Sequence, residues 1–118
     1  MDSKKILEIA VKAAESKRGE DIVALDMEKV SLITDYFMIV DAASTRQVQA
    51  IADSVEEAVE AAGIEIKRIE GYSAARWVLI DLGDVMVHVF QKDDRSYYNL
   101  EKLWVEAPMV DVSDWVEA

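Results

Sequence analysis

Two β-prone runs, Trp77–Leu82 and Val85–Phe90, are separated only by Gly83-Asp84, and that spacing constrains the fold more than any other feature of the chain. A two-residue loop with glycine first suits a type II′ turn, since glycine adopts positive φ at no steric cost, so the runs are predicted to pair as a hairpin. Side chains alternate across a sheet, which places Trp77, Leu79 and Asp81 on one face and Val78, Ile80 and Leu82 on the other. On the second strand Met86, His88 and Phe90 share one side. Beyond the hairpin, Asp93-Asp94-Arg95 reads as a polar connection, and Leu100, Leu103 and Trp104 recur at helical spacing on one face. With Tyr97 and Tyr98, most of the chain's large aromatic surface gathers in this quarter of the sequence.

The preceding segments supply the rest of an α/β pattern. Ser3 is predicted to cap a first helix whose stripe is Ile6, Ile9, Ala10 and Ala13, with Gly19 as its stop. Asp21–Asp26, DIVALD, reads as a central strand buried on both sides, which implies helices on the faces of the sheet. Ser31–Thr34 is a turn-like link, and Asp35 is placed to cap it. Tyr36–Val40, YFMIV, is a second apolar run without alternation and belongs in the interior. Ser44 or Thr45 then caps the strongest helix pattern, Val48, Ile51, Ala52, Val55, Ala58, Val59 and Ala62, which Gly63 ends. This helix lies between Tyr36–Val40 and Ile64–Glu70, so a right-handed crossover joining parallel strands is the simplest topology. Gly71–Arg76 reads as a loop. Pro108 breaks regularity, and the boundary is drawn there: one domain over 1–107 and an acidic tail over 108–118, with Trp115 expected to dock.

A chain of 118 residues with 52% hydrophobic content, four glycines and one proline is sized for one folded core. It has no cysteine, which fits a reducing compartment. The first residues resemble no leader, and no run approaches a membrane span, so a cytoplasmic location is expected. The net charge is −11, from 24 acidic against 13 basic residues. Such a surface repels phosphate backbones, and Lys67-Arg68 is the only tight basic group, so extensive nucleic-acid binding is disfavoured and a basic protein is the expected partner.

Catalysis is poorly supplied. His88 is the only histidine, and with no cysteine beside it neither metal ligation nor acid–base chemistry is indicated. Asp81 and Asp84 flank the hairpin turn, where carboxylates generally cap. Phosphate-cradling glycine loops and the serine-hydrolase elbow are both absent from the sequence. No catalytic residue, metal or cofactor is assigned. The aromatic cluster points elsewhere, because tryptophan and tyrosine carry most binding hot spots.

Read in order, LD at Leu25-Asp26, TDYF at Thr34–Phe37, RQVQAIADSVEE at Arg46–Glu57, and WVLIDLGDVMVHVF followed by RSYYNLEKLW closely resemble the ribosomal silencing factor family, the bacterial branch of the Iojap-related proteins. The resemblance runs to about Ala107. It implies an α/β domain with a mixed sheet of about five strands flanked by helices, distantly like the nucleotidyltransferase fold, that commonly forms homodimers. It also implies binding to large-subunit ribosomal protein number fourteen, which blocks joining of the small subunit and represses translation when nutrients are short. A role in large-subunit assembly is also ascribed to the family. A nucleotidyltransferase-like enzyme and a dimeric scaffold stand as alternatives.

The expected partner-binding residues are Trp77, Leu79, Asp81, Met86, His88, Phe90, Tyr98, Leu100 and Trp104, some of them destined for the core instead. The face containing Asp81 is the one predicted to meet the partner.

Overall fold

The structure, a computed structural model, describes residues 2–116. The first helix, α1 (Ser3–Ser16), is capped by Asp2 rather than Ser3: the Asp2 carboxylate accepts the Lys5 N–H at 2.8 Å. Its C-terminus also differs from expectation. Arg18 takes the left-handed conformation, and the Arg18 and Gly19 N–H groups return to Glu15 and Ala14, a Schellman closure. Gly19 is needed for another reason: a Cβ there would stand 2.5 Å from Val40 Cγ2. The second helix, α2 (Thr45–Ala61), starts and stops as the sequence predicts. Ser44 Oγ accepts the Gln47 N–H at 3.1 Å, and Gly63, at φ +81°, closes the end.

Among the described residues six strands form one mixed sheet: β1 (Glu20–Asp26), β2 (Tyr36–Ala42), β3 (Arg68–Glu70), β4 (Trp77–Asp81), β5 (Val85–Gln91) and β6 (Met109–Val110). Their order is β3-β4-β5-β2-β1-β6. The hairpin is as predicted, with Leu82 donating to Val85 O at 2.9 Å and Gly83 at φ +85°. β2 is central and buried along its whole length, and it pairs in parallel with β5, Tyr36 opposite Val85.

The crossover through α2 does not bring its two strands together. β3 runs in the same sense as β2 but lies at the far edge, beyond β4 and β5. The reason is burial: Arg68 and Glu70 are exposed charges on a three-residue strand, whereas β5 is apolar on both faces and takes the interior place. β1, expected to be central and covered on both sides, is second from the edge with its first residues exposed, because β6 pairs only with Ala24 and Leu25.

Helices α1 and α2 lie on one face and bury the larger core, with Leu7, Val11, Met38, Val40, Ile51, Val55, Ile80 and Val87 inside it. The opposite face carries a smaller cluster of Leu25, Met27, Phe37, Ile39, Phe90, Leu100 and Ala107. It is crossed by two short helices, α3 (Lys92–Tyr98) and α4 (Leu100–Leu103), joined at Asn99 in the left-handed conformation. The polar connection expected at Asp93-Asp94-Arg95 is therefore helical, its acids at the N-terminal end where the helix dipole favours negative charge. Leu100 and Trp104 turn inward, but Leu103, expected on the same face, is 70% exposed, since a single helical turn presents only one stripe.

The segment set apart after Pro108 continues the fold. Pro108 O accepts the Asp26 N–H at 2.8 Å, β6 extends the sheet, and Trp115 packs on the helix-side core. The last two residues of that segment lie outside the described residues.

Candidate functional site

Strand alternation separates the two faces as the sequence indicates. Val78, Ile80, Val85, Val87 and Val89 go to the helix side, while Trp77, Leu79, Asp81, Met86, His88 and Phe90 go to the face without long helices. From β2, Phe37, Ile39 and Asp41 join that second face. Its side chains form a continuous aromatic row. Ring centres lie 5.1 Å apart for Tyr97 and Tyr98, 4.7 Å for Tyr98 and Trp77, and 4.9 Å for Trp77 and Phe90. The row continues through His88 to Phe37, 4.6 Å away, and from Phe37 to Trp104 at 6.0 Å. Tilted and edge-to-face rings at these separations attract one another beyond their area burial, which stiffens the surface.

Trp77 is fixed by more than stacking. Its indole N–H donates to His88 Nδ1 at 3.1 Å. Nδ1 is therefore the acceptor, and the imidazole proton sits on Nε2, which has no hydrogen-bond partner. Burial pushes the His88 pKa down to about 4, so the ring is neutral at pH 7. The neutral ring thus holds the Trp77 indole in orientation through Nδ1.

The α3–α4 segment is held down by charge. Arg95, 9% exposed, donates from Nη1 to Asp41 Oδ2 at 2.9 Å and to the Asp21 carbonyl, and grips both carboxylate oxygens of Glu101 through Nε and Nη2. Lys92 reaches Asp41 at 2.9 Å and Glu20 at 3.0 Å; these hydrogen bonds raise its pKa. Arg76 pairs with the buried Asp94 at 3.0 Å. A planar guanidinium bonded to acceptors on three residues is the arrangement that makes a buried ion pair tolerable. It anchors the segment that carries Tyr97 and Tyr98 beside Trp77.

Against the sequence expectation, the nine residues divide. Trp77, Leu79, Asp81, Met86 and Trp104 are half-buried and Tyr98 is 47% exposed, so each has surface to offer. Phe90 at 0%, His88 at 5% and Leu100 at 8% exposure are the floor of the face, Leu100 packing down from α4 onto the cluster that holds Phe90. Asp81 caps the hairpin, accepting the Gly83 N–H at 2.8 Å and pairing with Arg68 at 3.4 Å.

Sequence reasoning missed Asp41, Asp94 and Arg95. The signal for Asp41 was present: an aspartate on an otherwise apolar strand, on a buried parity, demands a cationic partner. Tyr97, 81% exposed at the end of the row, was noted only as part of the cluster. Among the described residues no group of three or more His, Cys, Asp or Glu could hold a metal ion, and no helix is long and apolar enough to cross a membrane.

The sequence thus folds into a mixed α/β domain whose sheet face opposite α1 and α2, crossed only by the short α3–α4 segment, carries a stiffened, half-exposed aromatic row. The family described as RsfS, ribosomal silencing factor during starvation, matches residues 1–118. The chain is 57% identical over 112 residues to the ribosomal silencing factor RsfS of Bacillus subtilis (strain 168), covering 95% of each protein. Its fold is similar to a crystal structure of a Chromobacterium violaceum protein, with TM-score 0.88, 38% identity and coverage of 89% of this chain and 88% of that one. A crystal structure from Bacillus halodurans is similar at TM-score 0.83 and 54% identity, covering 92% of this chain and 99% of that one. The chain belongs to the ribosomal silencing factor family, as the resemblance of its motifs implied.

Proposed function

We propose that this protein silences translation by occupying the large ribosomal subunit. It docks on ribosomal protein number fourteen and thereby prevents the small subunit from joining when nutrients are limiting. The reading places it in the cytoplasm, as a homodimer. The observation that carries it is the aromatic row on the sheet face opposite α1 and α2, with Trp77, Leu79, Met86, Tyr98 and Trp104 as contacts over a floor of Phe90, His88 and Leu100. Large, stiff, amphipathic side chains on a pre-shaped surface lose little entropy on docking. The net charge of −11 attracts a basic ribosomal protein and repels the surrounding RNA, so it supports both recognition and selectivity.

Silencing of this kind needs no chemistry. It requires only that an interface of roughly 1,200–2,000 Å² cover ground the small subunit must use. The nucleotidyltransferase-like alternative would need paired carboxylates free to hold a metal, whereas Asp81 is engaged by Arg68 and the Gly83 N–H, and Asp84 is an exposed residue of the turn itself. Sucrose-gradient sedimentation of purified subunits with the protein, in magnesium sufficient for joining, tests the proposal. Co-migration with the large subunit and a loss of joined particles is the expected result. Normal joining with the protein left at the top of the gradient would refute it.

A further inference from the structure

Between β1 and β2 the chain makes a loop whose backbone is tied down along its length. The Val30 and Ser31 N–H groups both donate to Met27 O, the Glu28 N–H to Asp26 Oδ1 at 3.0 Å, and the Ile33 N–H to Ser31 Oγ at 3.1 Å. At its far end the Asp35 and Tyr36 N–H groups both donate to Asp84 O in the hairpin turn, and Thr34 is buried. Met27 and Val30 turn inward, onto the same cluster as Trp104 and Phe37. Leu32 and Ile33 do the opposite. They stand 105% and 77% exposed, at the tip of this hydrogen-bonded loop. Single exposed aliphatics are ordinary on a protein surface; two adjacent ones displayed on a hydrogen-bonded tip, whose inward residues Met27 and Val30 pack on the aromatic cluster, form a preorganised projection.

The surroundings say what fits it. Glu28 and Asp84 are exposed at its base and Asp26 and Asp35 half-exposed, against Lys29 as the loop's one cation. An acidic collar around an apolar tip repels phosphate, and a second copy of this chain would bring the same carboxylates face to face. We infer that Leu32 and Ile33 are an apolar prong that seats in a recess on a basic protein surface, with the acidic collar meeting that surface's cations. The inference rests on the proposed function for where the basic protein resides, on the large subunit. It extends the contact beyond the aromatic row, past the end of the sheet where Trp104 packs.

Titration of labelled full-length protein with purified large subunits over a range of salt decides the matter. Leu32→Ser/Ile33→Ser is expected to weaken binding at least tenfold at every salt concentration while leaving the circular dichroism spectrum and melting temperature unchanged. Glu28→Gln/Asp84→Asn is expected to weaken binding chiefly at low salt, which flattens the salt dependence. The prong is refuted alone if the wild type binds, Tyr98→Ala binds poorly, and Leu32→Ser/Ile33→Ser binds like the wild type. Absence of wild-type binding overturns the proposed function and the prong together. The inference also falls if protein-stripped ribosomal RNA binds as tightly as the subunit. It falls equally if the double serine variant dissolves a dimer without altering subunit affinity.

Discussion

Replacing Arg95 with leucine tests whether charge, rather than apolar packing, holds the α3–α4 segment on the sheet. Arg95 and Asp41 are both almost wholly buried and paired at 2.9 Å. Removing one member of a buried pair strands the other charge and costs about 3–5 kcal/mol. Here Lys92, at 2.9 Å from Asp41 and itself exposed, keeps part of the compensation, so Arg95→Leu should cost about 3 kcal/mol, the lower end of that range. Asp41→Leu leaves Arg95 with Glu101 and the Asp21 carbonyl and should cost about 2 kcal/mol. The double variant leaves no stranded charge from this pair. It should cost no more than Arg95→Leu alone, giving a coupling of about 2 kcal/mol. Such losses are a large part of the roughly 5–15 kcal/mol that holds a domain of this size together. Urea unfolding followed by tryptophan fluorescence measures all three: with a slope of about 1–3 kcal/mol per molar, the Arg95→Leu midpoint falls by roughly 1–3 M. If the single costs simply add in the double variant, the two residues are not a pair and the reasoning fails.

Other outcomes follow from the same face and its supports. Burial holds His88 neutral with a pKa of about 4, so between pH 6.5 and pH 4 the unfolded chain takes up a proton that the folded state refuses. The stability from this neutral ring is complete above about pH 6.5 and declines on acidification by about 1.4 kcal/mol per unit. Urea midpoints from pH 7.5 to 4 should therefore fall more steeply for the wild type than for His88→Gln, and parallel profiles would contradict the burial argument. Tyr98→Ala should weaken large-subunit binding by about 2 kcal/mol in sedimentation or titration, with the fold intact by circular dichroism, because Tyr98 is half in water already. Should it unfold, Tyr98 belongs to the core. Gly71→Ala, at φ +80° and colliding with the Trp77 carbonyl oxygen, should cost more than 2 kcal/mol in thermal melts. Gly63→Ala, at φ +81° with open space around it, should cost only about 1 kcal/mol, and equal costs would show that the close approach at Gly71 is immaterial.

Elements with a strong local cause were legible. The hairpin follows from one glycine between two β-prone runs, and α2 from a capping serine, a regular apolar stripe and a glycine in the left-handed region. The parity of Trp77, Leu79 and Asp81 against Val78 and Ile80 also survives intact, since alternation is a property of the strand alone. Strand order was not legible. Ile64–Glu70 looked like a neighbour for β2 because it comes next in the chain, but which strand occupies the centre depends on how much each can bury against all the others. α3 was read as a polar loop because its residues are charged, and only the approach of Asp41 from a strand over fifty residues earlier turns Arg95 into an interior side chain.

By itself the sequence determined which residues share a face, where the chain turns, that the surface is acidic, and through its motifs the family to which the chain belongs. These are local or additive properties: backbone sterics, periodicity and summed charge. The tertiary structure alone decided that Phe90, His88 and Leu100 lie beneath the aromatic face while Tyr98 lies on it, and that Leu32 and Ile33 project into solvent. Exposure is set by what the rest of the chain places over a residue, and no window of sequence contains its own cover.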